Sequence, residues 1–164
     1  KKKIHIKINI SDERKLLLDT GGGIFKGTEP FNENPFIVIN PDTIWNNGYL
    51  DELNKLEKIF FKENKSSLLL VKKDNSFDTS FKGDFNLSDN LVSRDLENEF
   101  IFTGAQILNR KIFQSVNKEI FSMNAIWDIL IQKGNLIGIE SHQKFYHVNT
   151  KYTYDQILKL KSID

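Results

Sequence analysis

The chain contains no cysteine in its 164 residues, which excludes a disulfide framework, a thiolate metal site and a cysteine nucleophile. No apolar run approaches the roughly 20 residues of a membrane span. A net charge of +1 provides no global field to gather nucleic acid or an anionic membrane, so neither is an expected partner. The opening KKKIHIKINI is basic but has no apolar h-region and no small-residue cleavage site. That excludes a secretory signal and makes the cytoplasm the expected location. Methionine occurs once, at Met123, and not at position 1. The expectation is an N-terminally incomplete domain, with initiator removal and trimming as the alternative. Glycine is scarce too, with nine in the chain, yet three stand together at Gly21-Gly22-Gly23.

What remains is an ordinary globular composition, 39% apolar and 27% charged, enough for one domain over residues 1–164 with a proper core. No linker, repeat or low-complexity tract interrupts it. Ile4–Ile10 alternates and predicts a strand. PFIVIN (35–40) and SSLLLVKK (66–73) are continuous apolar runs, as expected of strands buried on both faces. FIFTGAQIL (100–108) predicts another, and LIGIESHQKFYHV (136–148) one long strand or two short ones. Residues 81–95 alternate around Ser88-Asp89-Asn90, a hairpin signature. Between these lie helical patterns. Tyr49, Leu53, Leu56 and Phe60 share one face, with Asn46 or Asn47 as cap. A short helix is expected over 109–116. Another runs from Ser122 to Gln132, with Ile126, Ile129 and Leu130 inward and Gly134 ending it. An amphipathic tail spans 152–161. Strand–helix–strand order predicts an α/β fold with a mixed, largely parallel sheet and a small β-hairpin. Chemistry is then expected beyond the strand ends at Ile39, Val71, Leu108 and Val148.

Asp42 follows a strand end closely. A carboxylate there can hold Mg²⁺, which takes hard oxygen ligands and bridges to phosphates, or Asp42 and Thr43 can cap the next turn. Thr20-Gly21-Gly22-Gly23 opens a weakly helical segment. Its backbone N–H groups suit a phosphate or a nucleobase edge, or the triplet is a plain turn. It matches neither dinucleotide-binding nor P-loop spacing. His147 ends the last strand and can pair with Asp42 or serve structure alone. His142 and His147 are five apart, on opposite faces of a continuous strand, which argues against a His–His zinc pair. Nothing suggests a Ser/His/Asp triad. Trp45 and Trp127 read as packing residues, and Lys1–Lys3 as a solvated end.

Five stretches taken together, SDERKLLLDTGGGI (11–24), PFIVINPDTIW (35–45), FTGAQIL (102–108), FSMNAIWDIL (121–130) and FYHVNT (145–150), resemble the sugar-1-phosphate nucleotidyltransferases. The branch they resemble is that of N-acetylmuramate-1-phosphate uridylyltransferase and mannose-1-phosphate guanylyltransferase-like proteins. The resemblance implies a Rossmann-like (glycosyltransferase-A-like) fold. It implies transfer of NMP from an NTP to a sugar 1-phosphate with release of pyrophosphate, in nucleotide-sugar biosynthesis for cell-envelope precursors. Mg²⁺ is the implied cofactor, and NTP and sugar 1-phosphate are the implied partners. In-line attack at the α-phosphorus relies on positioning and charge neutralisation, which suits a chain without a covalent nucleophile.

Carried over by position, Asp19, Thr20, Gly21 and Gly22 would face the nucleotide, Asp19 standing where the family usually has Glu. Asp42 would be the catalytic metal ligand, although Pro41 replaces the family's Gly or Ser. Gly83 and Gly104 would line the sugar-phosphate pocket, with Asn124 supporting it. His147 falls where many members carry a second metal-binding Asp. Asn149 and Lys151 replace the family's Gly and Pro. The family's Gly-rich, Arg-bearing loop and its Lys-Pro segment, which wrap the triphosphate, are absent from these 164 residues. The isolated chain is therefore expected to be inactive, either as a fragment of a longer enzyme or as a truncated relative. The alternative is a non-catalytic module that binds nucleotide or sugar phosphate. An in-frame upstream segment encoding such a loop distinguishes the enzyme from the module.

Overall fold

The computed structural model describes residues 7–31 and 35–160. Four helices, α1 (Asp19–Gly27), α2 (Tyr49–Glu63), α3 (Met123–Gln132) and α4 (Lys151–Ile157), accompany six strands. These are β1 (Phe36–Ile39), β2 (Ser66–Lys72), β3 (Asn86–Ser88), β4 (Leu91–Ser93), β5 (Phe100–Leu108) and β6 (Leu136–Ser141). The strands form one mixed sheet in the order β1-β5-β2-β6-β4-β3.

The α/β class and the mixed sheet agree with the sequence reading, but the parallel share is smaller than expected. Among the described residues only β2 and β6 pair in parallel. β5 lies antiparallel between β1 and β2, so those two point the same way without touching. The β1–α2–β2 crossover is real, but β5 has been inserted into it. This also corrects the expected position of Leu108. Leu108 pairs with Phe36, the first residue of β1, so it ends its strand at the edge of the sheet opposite Ile39. At Ile39 the neighbouring strand presents Ala105, in the middle of β5.

Two further expectations change. Residues 7–10 of the predicted first strand are irregular, with Ile8 and Ile10 79% and 88% exposed; no partner strand lies beside them among the described residues. The rest of that prediction lies outside the described residues. β1 is not buried on both faces either. It pairs only with β5 among the described residues, and Ile37 and Ile39 are nearly half exposed. β2, paired on both sides, is the strand that matches its pattern, with Leu68, Leu69, Leu70 and Val71 all fully buried.

Alternation along β2 sends its side chains into two cores. Leu68 and Leu70 join Phe85, Phe113, Met123, Ile126 and Trp127 beneath α3, whereas Leu69 joins Tyr49, Leu56 and Phe60 of α2. The hairpin turns at Asp89 and Asn90, both left-handed (φ 49° and 63°), as a two-residue primed turn requires. Ser122 caps α3 by accepting from Asn124 N, and α3 closes at Gly134, whose N–H reaches Ile131 O. The short helix after β5 is a 3₁₀ segment, Arg110–Ser115.

On α2 the inward face holds Glu52 as well as Leu53, which is partly buried against the Tyr49, Leu56 and Phe60 core. The Glu52 carboxylate accepts from Ser141 Oγ (2.6 Å) and His142 N (2.9 Å). A buried carboxylate is tolerated because its oxygens are bonded, and this one clamps the exit of β6, upstream of His147. Burial pushes the neighbouring Tyr49 phenol well above its ordinary value, and the Glu52 charge adds to the shift. The folded state therefore holds that proton more tightly than the unfolded chain. The resulting stabilisation is complete below the unfolded value near pH 10 and declines as pH rises above it. Tyr49→Phe should accordingly lose less unfolding free energy than the parent between about pH 9 and pH 11, measured by urea titration at each pH.

Candidate functional site

Beyond Ile39 the chain turns sharply past the middle of β5. Asn40 N donates to Gly104 O at 2.9 Å. A β-carbon on Gly104 would lie 2.7 Å from Asn40 Cβ, and Gly104 has φ +94°, a conformation glycine adopts readily and other residues rarely. The FTG segment thus allows the loop after β1 to lie flat on β5. The Thr43 hydroxyl then donates to Thr103 O (2.7 Å) and Trp45 Nε1 to Asn40 O (2.9 Å).

This anchoring presents Asp42 to the segment 145–149. Val148 N donates to Asp42 O (2.7 Å), Ile44 N donates to Tyr146 O (3.0 Å), and Thr43 and His147 form an antiparallel bridge. Across it, His147 Nε2 stands 3.2 Å from Asp42 Oδ2. The Phe81 ring meets the imidazole edge-on at 5.6 Å. Asp42 Oδ1 and His147 Nδ1 are buried with no hydrogen-bond partner among the described residues. The structure therefore joins the two residues that the sequence reading placed together.

These donors fit a divalent cation. Two donors 3.2 Å apart match neighbouring corners of an octahedron whose ligands lie about 2.1 Å from the ion. Asp42 Oδ1, lacking a donor, is left for a positive partner. No group of three or more His, Asp or Glu ligands exists among the described residues, so water would have to complete the shell of any ion held here.

A polar cavity of about 540 Å³ is lined by Phe77–Ser80, Asn149, Thr150, Tyr152, Thr153 and Gln156. Hydrogen bonds from the Ser80 hydroxyl and N–H hold the Asp78 carboxyl below its ordinary value, with smaller contributions from Asn149 and His147. Asn40 and Val38 line an open cleft of about 490 Å³ with Glu13, Leu17, Asp19, Thr20, Gly23 and Ile24.

The glycine triplet is not a turn. It lies within α1, and two of its members face away from this cleft. Gly21 and Gly22 are buried, and both their N–H groups donate to Phe121 O, at 2.9 and 3.0 Å. Thr20 N is taken by Asp19 Oδ1 (2.6 Å), and Thr20 Oγ1 accepts from Met123 N (3.0 Å). The N–H groups of Thr20, Gly21 and Gly22 are thus bonded within the fold. Helical spacing puts Asp19, Thr20 and Gly23 on the cleft side instead.

Asn124 accepts from Arg94 Nη2 (2.9 Å), and Arg94 also pairs with Asp128 (2.7 Å), donates to Asp84 O (3.1 Å) and covers the Phe85 ring. Asp84 Oδ2 in turn accepts from Phe102 N, 2.9 Å. Gly83 (φ +85°) packs against Asn98 O. Arg94 and Asp84 therefore link Asn124 to the residue after Gly83 and to Phe102, two residues before Gly104. Sequence reasoning missed Arg94, because the partners that hold it are 10 to 34 residues away. His142 is isolated from His147 and lies 3.7 Å from Glu140; β6 ends at Ser141, so no continuous strand joins the two histidines.

The fold of this mixed sheet is similar to that of several proteins of known structure. HddC from Yersinia pseudotuberculosis complexed with GMP-PN aligns over 87% of this chain and 62% of its own, at 24% identity and TM-score 0.63. UDP-glucose pyrophosphorylase from Acinetobacter baumannii aligns over 87% and 55%, at 12% identity and TM-score 0.68. The inositol-1-phosphate CTP transferase from T. maritima aligns over 83% and 58%, at 15% identity and TM-score 0.64. The chain thus spans less than two thirds of each of these proteins. No protein-family model and no curated protein matches the sequence. No helix among the described residues is long and apolar enough to cross a membrane.

Proposed function

We propose that this chain is the greater part of a cytoplasmic catalytic domain that transfers NMP from an NTP to a sugar 1-phosphate, releasing pyrophosphate. The observation that carries this reading is the Asp42–His147 pair just beyond the end of β1. A divalent cation bound there would neutralise charge on the phosphates. Asp42 contributes its carboxylate oxygens, and the Phe81 contact helps hold His147 in orientation. Asp19, Thr20 and Gly23 form the wall along which a nucleobase lies. Gly104 keeps Asn40 close to β5, so the loop bearing Asp42 stays in place. With substrates aligned, the sugar phosphate oxygen attacks the α-phosphorus in line, and positioning supplies most of the rate.

The 164 residues contain no Gly-rich, Arg-containing loop to hold the triphosphate. Binding without turnover is therefore the expected behaviour of the chain by itself. Thermal-shift screening against NTPs and sugar 1-phosphates with Mg²⁺ or Mn²⁺ tests this, because a ligand of the native state raises its midpoint. At least one nucleotide should give a cation-dependent rise, with no pyrophosphate released. Absence of any shift contradicts the binding site, and pyrophosphate release by this chain contradicts the need for a further loop.

A further inference from the structure

We propose that the N-terminal segment Lys1–Ile10 docks on the open edge of β1 as an antiparallel strand and closes the groove between β1 and α2. This docking does not depend on the nucleotidyl-transfer reading. Among the described residues β1 pairs only with β5, in an unbroken register. Asn40 N points to Gly104 O, so alternation turns the N–H and C=O groups of Ile37 and Ile39 towards the open edge. Edge strands are commonly guarded by lysine or other charges and by bulges. β1 reads FIVI and carries neither. Beside it an apolar groove of about 550 Å³ runs to Leu53 and Phe61 of α2, and its only charged lining residue among those described is Glu57.

The stretch KKKIHIKINI supplies what this edge lacks. Ile4, Ile6, Ile8 and Ile10 alternate with Lys3, His5, Lys7 and Asn9, so a strand made of them has one apolar and one polar face. Laid beside β1, the isoleucines share a face with Ile37, Leu53 and Phe61. The lysines then guard the new edge, and their charge complements Glu57. Residues 1–6 lie outside the described part of the structure, and Ile8 and Ile10 at the described end stand largely exposed. The segment is anchored at its far end. Lys26 Nζ donates to Asp12 O (2.7 Å), and a β-carbon on Gly27 would lie 3.7 Å from Ser11 Cβ. Gly27 ends α1, and Phe31, four residues on, meets the Phe36 ring at 6.1 Å. The anchor therefore lies near the start of β1, and residues before Ser11 laid along that strand run from Ile39 towards Phe36. Ten extended residues reach about 33 Å, against about 13 Å for β1. Ser11 and Asp12 supply turn chemistry for the reversal.

The test is amide hydrogen exchange on the full chain and on a full-chain variant carrying Ile6→Asp and Ile8→Asp. In the parent the Ile37 and Ile39 amides should be protected, and in the variant they should exchange at least roughly tenfold faster. The Leu69 and Leu70 amides, inside the sheet, should be unchanged, which shows that the variant is folded. A second measurement uses the absence of native cysteine. Ile8→Cys with Ile37→Cys should close a disulfide within one chain on mild oxidation, whereas Lys7→Cys with Ile37→Cys, which puts the two sulfurs on opposite faces, should not. Unprotected Ile37 and Ile39 amides in the parent, protection unaffected by the variant, or failure of the Ile8–Ile37 pair to close overturns the proposal. Protection that rises with protein concentration, together with disulfides that join two chains, assigns the edge to a second copy and overturns it as well.

Discussion

Gly22→Ala should destabilise the protein by about 2–3 kcal/mol, opposite in sign to the roughly 1 kcal/mol that helix propensity alone would add. A β-carbon at Gly22 would lie 2.4 Å from Glu119 O and 3.0 Å from Leu18 Cβ. Glu119 O is backbone and cannot swing aside. Relief requires moving α1 away from residues 119–121, and that motion stretches the bonds from Gly21 N and Gly22 N to Phe121 O. A buried donor left unmade adds its own penalty, about 1–3 kcal/mol. Gly23→Ala is the control. Its nearest neighbour is Glu13 Oε1 at 2.9 Å, the end of a flexible side chain, so the change should stay within about 1 kcal/mol of the parent. Urea unfolding at constant m-value reads both. If Gly22→Ala is as stable as the parent, the packing account of the triplet fails.

Asp42→Asn should abolish the cation-dependent nucleotide shift while leaving the unfolding free energy within about 1 kcal/mol of the parent. Asp42 is 44% exposed at its side chain, and ion pairs at such positions contribute little. The backbone bond from Val148 N to Asp42 O does not depend on the carboxylate. The amide keeps the shape but removes the charge that a divalent ion needs. In a protein that joins this domain to a triphosphate-binding loop, the same change should lower turnover by at least about 100-fold, since the ion's charge stabilisation amounts to several kcal/mol. Unaltered nucleotide affinity in Asp42→Asn would show that the cation sits elsewhere.

What could be read from the sequence follows how local each determinant is. Ser122 and Gly134 bound α3 as expected because caps are set by the nearest residues. The hairpin turn at Asp89-Asn90 was legible for the same reason. Strand neighbours were not, because periodicity reports burial and says nothing of who pairs with whom. β5 looks like any buried strand, and only the fold reveals that it runs antiparallel between β1 and β2. The apolar run of β1 suggested a central strand, yet Ile37 and Ile39 remain half exposed at the edge of the described sheet. Asp42 and His147 were singled out from their places at strand ends and from the resemblance of their surroundings, and the structure sets their side chains 3.2 Å apart. The orientation of the glycines was not legible, because it depends on Phe121, about a hundred residues downstream. Glu52 escaped notice because a charged residue on an otherwise amphipathic helix normally faces water, and only Ser141 and His142 explain its burial.

The central claim is that nucleotide and cation meet at Asp42 and His147. The most direct test is a crystal structure of the chain grown with an NTP and Mn²⁺, using anomalous scattering to locate the metal. The account predicts an anomalous peak touching Asp42 and His147, with the base along Asp19, Thr20 and Gly23. A nucleotide bound with its metal away from Asp42, or on the apolar groove between β1 and α2 formed by Phe36, Leu53 and Phe61, would contradict it.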